Sequence, residues 1–177
     1  MYKKILVPLD GSPMAECSLH HVEQLASNNN DAEVILISVT ELVKLGHILY
    51  DPHSLSLGSV GDSAISGYTT SPDITGSYSA VEDAIGKMDT QLHTYLESVS
   101  KNLKEKGIKA KVKVLKGEAA HEIVSYAEDN KCDIIVMASH GRSGPTRWAM
   151  GSISDKVFRR CCVPVLMIRG PGCDLKT

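Results

Sequence analysis

Five short apolar runs, separated by segments of helical periodicity, limit the possible folds more than any other feature of this chain. Four of the runs are almost continuously apolar, as expected of strands that are buried on both faces. The run at 108–115 instead alternates apolar residues with lysine, as a half-exposed strand does. The predicted strands are 4–9, 33–39, 108–115, 133–137 and 163–168. Because they alternate with helices, we predict an α/β fold, with an open five-stranded parallel sheet and helices on both faces.

The length suits a single domain, and we assign residues 1–177 to it. Residues 46–79, after the second strand, are rich in Ser, Gly, Thr and Pro and show no sustained period. We predict that this stretch is a flexible insert that covers a ligand or docks a partner. Helical periodicity resumes near Ala80, and residues 170–177 are predicted to form a disordered tail.

Composition argues against several classes of partner. The formal net charge of -2 gives no electrostatic basis for binding nucleic acid or an anionic membrane. No segment approaches the roughly 20 apolar residues that span a bilayer. No apolar leader precedes the first strand, so we expect a cytoplasmic protein.

The cysteines do not form a recognisable metal or redox motif. There are five, and no Cys-x-x-Cys spacing occurs among them. Cys161 and Cys162 are adjacent at the end of a predicted helix. We interpret them as reduced thiols partly packed against the core, with redox sensing or metal capture as the alternative.

A glycine-bearing loop between the fourth strand and the last helix is the best candidate for a binding element. The sequence runs from Met137 through Gly141 and Arg142 and reaches Gly151-Ser152, where the helix begins. A strand, a glycine loop and a small hydroxyl residue at a helix start present free backbone N–H groups to an anion. The P-loop motif, the Gly-x-Gly-x-x-Gly fingerprint and a Ser-Gly-Gly-x-Asp-Ser loop are all absent.

Four segments resemble the universal stress protein family, in the right order and over nearly the whole chain. They are Ile5–Ser12, Asp133–Gly144, Gly151–Val157 and Cys162–Leu166. The resemblance implies a Rossmann-like fold of the adenine nucleotide alpha hydrolase type. Nucleotide-binding members carry Gly-x-x-Gly-x9-Gly-Ser/Thr, and this pattern falls on Ala138, Gly141, Gly151 and Ser152. Ala138 replaces the first glycine, and alanine tolerates positive φ poorly.

The resemblance and the residue chemistry assign roles to individual positions. Asp10 would accept hydrogen bonds from the ribose or adenine, or else be a turn residue. Val39 would contact the adenine ring, or else belong to the core. The backbone N–H groups of Gly141, Gly151, Ser152 and Ile153 would bind the phosphates, with Arg142 offsetting charge, unless the loop is only a turn. The complete predicted site is Pro8, Asp10, Val39, Met137, Ala138, Gly141, Arg142, Gly151, Ser152 and Ile153.

The implied ligand is ATP, or AMP or ADP, and a magnesium or manganese ion could bridge its phosphates. No carboxylate cluster indicates a metal site built by the protein itself. No nucleophile–base pair is evident, so we expect a binding or switch protein with at most slow ATP hydrolysis.

The leading hypothesis is therefore an ATP-binding stress-response or signalling protein that acts as a homodimer and serves an unidentified protein partner. The dimer would form through the last strand, Val163 to Ile168, because an apolar sheet edge needs protection. The alternatives are a dimeric scaffold or regulatory module that binds no nucleotide, and a slow ATPase.

Overall fold

A five-stranded parallel sheet forms the centre of the structure, a computed structural model that describes residues 2–41, 74–139 and 150–169. The strand order is β3-β2-β1-β4-β5, and every neighbouring pair is parallel. The predicted architecture is confirmed. The strands are β1 (Lys4–Pro8), β2 (Glu33–Thr40), β3 (Lys109–Lys116), β4 (Ile134–Ser139) and β5 (Val165–Arg169).

Helices cover both faces of the sheet, which explains why the strands read as continuous apolar runs. On one face, α2 and α3 pack over the alternate residues that include Ile5 and Val34. On the other face, α4 and α5 pack over the set that includes Leu6 and Ile35. Successive side chains of a strand point to opposite faces, so both sets must be apolar. The helices are α1 (Pro13–Glu16), α2 (Leu19–Ser27), α3 (Ile74–Glu105), α4 (Ala119–Asp129) and α5 (Ser152–Arg160).

Two helical segments have boundaries that simple periodicity does not indicate. The segment between β1 and β2 is divided into α1 and α2, with Cys17 and Ser18 in a turn between them. Helix α3 begins at Ile74, so it includes residues 74–79 that were assigned to the insert. That segment contains Thr, Gly and Ser without an apolar stripe, so periodicity gives no helix signal there. Residues 42–73 and the predicted tail at 170–177 lie outside the described residues.

A glycine in the left-handed conformation ends α3. Gly107 has φ +79, and its N–H donates to the carbonyl of Lys104 at 2.9 Å. The Ile108 N–H donates to the carbonyl of Leu103 at 3.0 Å, which completes a Schellman motif. This turn sends the chain directly into β3.

The two edges of the sheet have opposite character. On β3 the residues Lys109, Lys111 and Lys113 are exposed, and such lysines protect an edge strand from pairing with another chain. On β5 the residues from Val165 to Ile168 are all apolar. Within the described part of the chain, β5 pairs only with β4. No described helix is long and apolar enough to cross a bilayer.

Asp133 fixes the amino end of the central strand. Its Oδ2 accepts hydrogen bonds from the backbone N–H groups of Lys3 at 2.7 Å and Lys4 at 2.8 Å. Its own N–H donates to the carbonyl of Lys4 at 2.9 Å, so Asp133 ties β4 to β1. The hydrogen bonds from Lys4 and Lys3 hold the pKa of the Asp133 carboxyl below its usual range.

We expect Asp133→Ala to lower the free energy of unfolding by about 1 kcal/mol at pH 7, because charge-assisted hydrogen bonds are lost at an exposed site. The folded-state pKa lies below the unfolded value, so the carboxylate stabilises the fold above that unfolded value, ordinarily 3.8. The difference between variant and parent should therefore shrink as the pH falls below about 4. Urea titrations across pH would measure this difference. Asp129→Ala removes an exposed carboxylate from the end of α4 and is the control. If the two substitutions lower the free energy of unfolding equally at pH 7, Asp133 does not have the stabilising role at the start of β1 that we assign to it.

Candidate functional site

The strand order reverses between β1 and β4, and a gap opens there at the carboxyl end of the sheet. The chain runs from β1 outward to β2 and β3, then returns to place β4 on the other side of β1. In open α/β sheets, ligands bind at this switch point, beyond the carboxyl ends of the strands. The central strand stops first. Pro8 is the register partner of Ile37, and β2 continues to Thr40.

Val39 directs its backbone toward this gap. The Leu9 N–H donates to the carbonyl of Ile37 at 2.8 Å, so Ile37 faces β1. Because successive residues of a strand direct their backbone groups to opposite neighbours, Val39 faces the same way as Ile37. At its level β1 has already ended. Val39 thus presents one backbone donor and one acceptor at the gap.

Ala138 faces the gap from the opposite side. The Ile135 N–H donates to the carbonyl of Pro164 at 2.9 Å, so Ile135 faces β5. Ala138, three residues later, therefore faces β1. It lies inside β4, and the only described non-glycine residue with positive φ is Lys131. The backbone conformation at position 138 is thus one that alanine adopts without strain.

A cavity of about 610 Å³ occupies the switch point, a volume typical of small-molecule sites. Eight of the ten predicted site residues line it: Pro8, Asp10, Val39, Met137, Ala138, Gly151, Ser152 and Ile153. The remaining two, Gly141 and Arg142, lie outside the described residues.

The N-terminus of α5 forms one wall of the cavity. Gly151 is the N-cap residue, with φ -61 and ψ 148, and no side chain caps the helix. The first intrahelical bond runs from the Asp155 N–H to the carbonyl of Gly151 at 2.9 Å. The N–H groups of Ser152 and Ile153 precede that bond and so have no carbonyl one turn earlier. Together with the helix dipole they form a site of positive potential on the cavity wall.

Asp10 has a structural role at the mouth of the cavity. Its Oδ1 accepts a hydrogen bond from the Ser12 N–H at 3.0 Å, across Gly11 with φ +80. Ser12 in turn caps α1, since its Oγ accepts from the Ala15 N–H at 3.1 Å. The turn interpretation of Asp10 is therefore observed. It is compatible with ligand binding, because the exposed carboxylate also lines the cavity.

Tyr95 ties α1 to the long helix α3. Its hydroxyl donates to Oε1 of Glu16 at 2.9 Å. Burial and the hydrogen bond to Glu16 both raise the pKa of Tyr95, so the hydroxyl stays protonated and keeps donating. This contact holds α1, whose Ala15 lines the cavity.

Sequence reasoning missed nine lining residues, of which Glu41 is the most polar. It follows β2 by one residue, and its Oε1 accepts a hydrogen bond from the Ala119 N–H at 3.3 Å. A carboxylate just beyond a strand end is a signal that sequence could have supplied. The start of α4 also lines the cavity, but its position there depends on the order of the strands in the sheet, which the sequence does not show. The nine are Leu9, Ala15, Ile37, Ser38, Glu41, Ala119, Ile123, Met150 and Ser154.

Charge within the cavity is carried by Asp10 and Glu41, and the described lining residues include no lysine or arginine. Among residues 2–41, 74–139 and 150–169, no three His, Cys, Asp or Glu side chains are grouped closely enough to hold a metal ion. Burial raises the pKa of the thiols of Cys132 and Cys161, which favours the unreactive protonated form.

A part-buried polar contact fixes the end of β2 beside the cavity. The Thr40 hydroxyl donates to Oδ1 of Asp89 at 2.7 Å, and Lys116 Nζ lies 2.6 Å from Oδ2. Burial would raise the pKa of the Asp89 carboxyl, but the bonds from Lys116 and Thr40 outweigh it and hold this pKa below its usual range. Because Thr40 and Lys116 are register partners, Asp89 ties α3 to both strands.

Comparisons with known proteins give a consistent result. Residues 1–169 match the model of the universal stress protein family. The sequence is 32% identical to universal stress protein MJ0577 of Methanocaldococcus jannaschii over 170 residues, covering 96% of each chain. The solved structure of MJ0577 aligns with a TM-score of 0.73 at 27% identity and covers 97% of this chain and 99% of that one.

Two more distant structures show the same fold. An AMP-bound universal stress protein of Arabidopsis thaliana aligns with a TM-score of 0.58 at 16% identity, covering 97% of this chain and 94% of that one. A universal stress protein in complex with cAMP aligns with a TM-score of 0.58 at 18% identity, covering 96% of this chain and 98% of that one.

We expect Thr40→Val to lower the free energy of unfolding by about 1–2 kcal/mol, because it removes a part-buried hydrogen bond to a carboxylate. Thr40 itself is only 1% exposed, whereas 22% of the Asp89 side chain is open to water, so hydration replaces part of the lost bond. Chemical denaturation would measure the change. The control is Thr90→Val on the exposed surface of α3, where the lost bond is to the carbonyl of Gly86 in the same helix. There we expect a change within about 0.5 kcal/mol. Equal losses of unfolding free energy at Thr40 and Thr90 would refute the proposed role of the Thr40–Asp89 contact.

Proposed function

The chain belongs to the universal stress protein family, and we propose that it is a homodimeric member that binds an adenine nucleotide and acts in stress response or signalling. One observation carries this proposal. Eight of the ten residues predicted to form the nucleotide site, which are all those that the structure describes, line a single cavity at the switch point of the sheet.

The adenine ring is proposed to lie against Val39. Adenine offers an acceptor, N1, beside a donor, the N6 amino group. The backbone N–H and carbonyl of Val39, directed at the gap beyond β1, match that pair. Apolar side chains of Pro8, Ile37 and Met137 line the same cavity and suit a flat aromatic base.

The phosphates are proposed to bind at the start of α5. The N–H groups of Ser152 and Ile153 suit phosphate oxygens, and the Ser152 hydroxyl adds a donor. Gly151 has no Cβ, so a phosphate can approach the backbone closely at this point. The ribose hydroxyls would then lie between the two sites, where Asp10 is an acceptor.

A magnesium or manganese ion is proposed to accompany a triphosphate. Bringing the phosphates close to the carboxylates of Asp10 and Glu41 would be unfavourable without countercharge. Since the described residues hold no metal-binding cluster, the phosphates themselves would supply most of the ligands.

The fold is compatible with this ligand class. One universal stress protein of this fold is described with AMP bound and another in complex with cAMP. Both ligands contain adenosine joined to a phosphate, which is the chemistry that the Val39 backbone and the α5 N-terminus would recognise.

The homodimer is proposed to form by antiparallel pairing of β5 with β5 of a second copy. Ile135 faces β5 and has Val165 as its register partner, so Val165 directs its own backbone groups to the outer edge. An apolar edge strand with outward donors and acceptors is a template for pairing.

Gly151→Asp tests the phosphate site. Aspartate is a favoured N-cap residue, so the fold should keep its stability, whereas the new carboxylate would repel a phosphate. We expect the ATP dissociation constant, measured by calorimetry with magnesium present, to rise at least tenfold. Adenosine, which has no phosphate, should bind the variant and the parent alike.

Gly151→Asn is the matched control, because it adds a side chain of the same size without charge. ATP binding to the asparagine variant should be weakened less. If the aspartate variant binds ATP as tightly as the parent does, the phosphates do not lie at α5. If the parent protein binds no adenine nucleotide, the proposed ligand is wrong and the result supports the scaffold alternative.

Val165→Pro tests the β5 pairing. Proline removes the outward N–H of Val165 without removing a bond to β4, so the protomer should fold. We expect the dissociation constant of the dimer, from sedimentation equilibrium, to rise at least about tenfold. Val112→Pro is the control, since Val112 lies on β3 at the opposite edge and its N–H also faces outward. Loss of the dimer in the Val112 variant alone would show that the other edge pairs.

A further inference from the structure

Phe158 is an exposed aromatic residue that neither the core nor the cavity uses. Its exposure is 56%, and Tyr2, at 40%, is the only other exposed large apolar side chain among the residues that the structure describes. Phe158 lies on α5, the helix whose other end lines the cavity. An aromatic side chain stabilises a protein mainly through the area that it buries, and more than half of the Phe158 surface is left unburied in the protomer.

The orientation of α5 places Phe158 on the side away from α4. Lys156 forms an ion pair with Glu118, the N-cap residue of α4, at 2.9 Å. Arg160 also acts on the charge of Glu118, so the Lys156–Arg160 flank faces α4. Phe158 is two residues from each of them, a rotation of about 200° around the helix axis. It therefore projects from the opposite flank.

That opposite flank overlooks the open edge of the sheet. Helix α5 packs through Val157 on the same face as Val165 and Met167 of β5. On this face α4 contacts β2 and β3, so it lies on the inner side of α5. The outer side, with Phe158, borders the edge at which β5 has no described partner strand.

A second copy that pairs with β5 would bring its own α5 to the same side. Antiparallel pairing of two identical edges has a two-fold axis perpendicular to the sheet, so each face is continued by the same face of the partner. The two α5 helices then run side by side across the axis with their Phe158 flanks toward one another.

The size of the β5 edge argues that pairing alone is insufficient. A strand of five residues is about 17 Å long, and a sheet is about 10 Å thick. The area of an edge with these dimensions is small compared with the roughly 1,200–2,000 Å² that stable specific interfaces bury in total. An aromatic side chain buries about 150–250 Å².

The charges beside Phe158 on this flank also permit two copies to approach. Asp155 and Arg159 form an ion pair at 2.9 Å, so the pair is neutral and two such flanks approach without repulsion.

We propose that Phe158 is a principal anchor of the homodimer, where it packs against α5 of a second copy beside the paired β5 strands. This inference rests on the proposed β5 pairing and adds a second contact surface to it. It assigns the outer flank of α5 to the partner and leaves the N-terminus of the same helix to the nucleotide.

Phe158→Lys tests the anchor. A lysine near the C-terminus of a helix is favourable, so the protomer should fold, while two lysines would face one another across the axis. We expect the dimer dissociation constant from sedimentation equilibrium to rise at least tenfold, with circular dichroism unchanged. Phe158→Leu keeps an apolar side chain and should weaken the dimer less than the lysine variant does.

Tyr2→Lys is the matched control, because it also removes an exposed aromatic side chain, and it should leave the dimer intact. If Val165→Pro dissociates the dimer and Phe158→Lys does not, the β5 pairing stands and the anchor is refuted. If the parent protein is a monomer at all concentrations tested, the proposed homodimer itself fails. If Tyr2→Lys weakens the dimer as much as Phe158→Lys does, a specific role for Phe158 is also refuted.

Discussion

The parallel ladders on both sides of β1 hold this molecule together. β1 is the central strand of five, and its residues Ile5, Leu6 and Val7 are fully buried. At its amino end Asp133 binds the backbone N–H groups of Lys3 and Lys4. At its carboxyl end β1 stops while β2 continues, and the chain turns away at Gly11. The cavity exists because the central strand is short, and its floor is rigid because the strands beside it are paired.

The strands were predictable from the sequence because they are buried on both faces. A continuous apolar run therefore indicates a strand that is buried on both faces, and the alternation with lysine in β3 indicates a strand that is partly exposed. The helix boundaries were less predictable. Ser12 is the N-cap of α1 and Pro13 its first residue, a combination typical of a helix start, but no local signal shows that α1 stops after Glu16. The first turns of α3 lack an apolar stripe, so periodicity could not place its beginning at Ile74.

The cavity was partly predictable, and the missed residues share a physical reason. Pro8, Val39 and Met137 are identified from strand ends and a motif, both of which are local in sequence. Ala119 and Ile123 line the cavity because α4 begins beside it, and that depends on how β3 is ordered relative to β1. Strand order results from tertiary contacts and has no short-range signal. Glu41 is intermediate, because its position after β2 is local whereas its bond to Ala119 is not.

Helix α5 connects the two proposed surfaces, and its anchoring decides whether they can influence one another. The helix has nine residues, so it is about 14 Å long, with Ser152 at the cavity and Phe158 near the sheet edge. Energetic coupling between two sites requires an element with two arrangements that both sites bias. Ser154 and Val157 of α5 are buried against the body of the protein, and the structure shows the helix in a single arrangement. Nucleotide binding and dimer formation through α5 should therefore be close to independent, with each surface relying on the same rigid element.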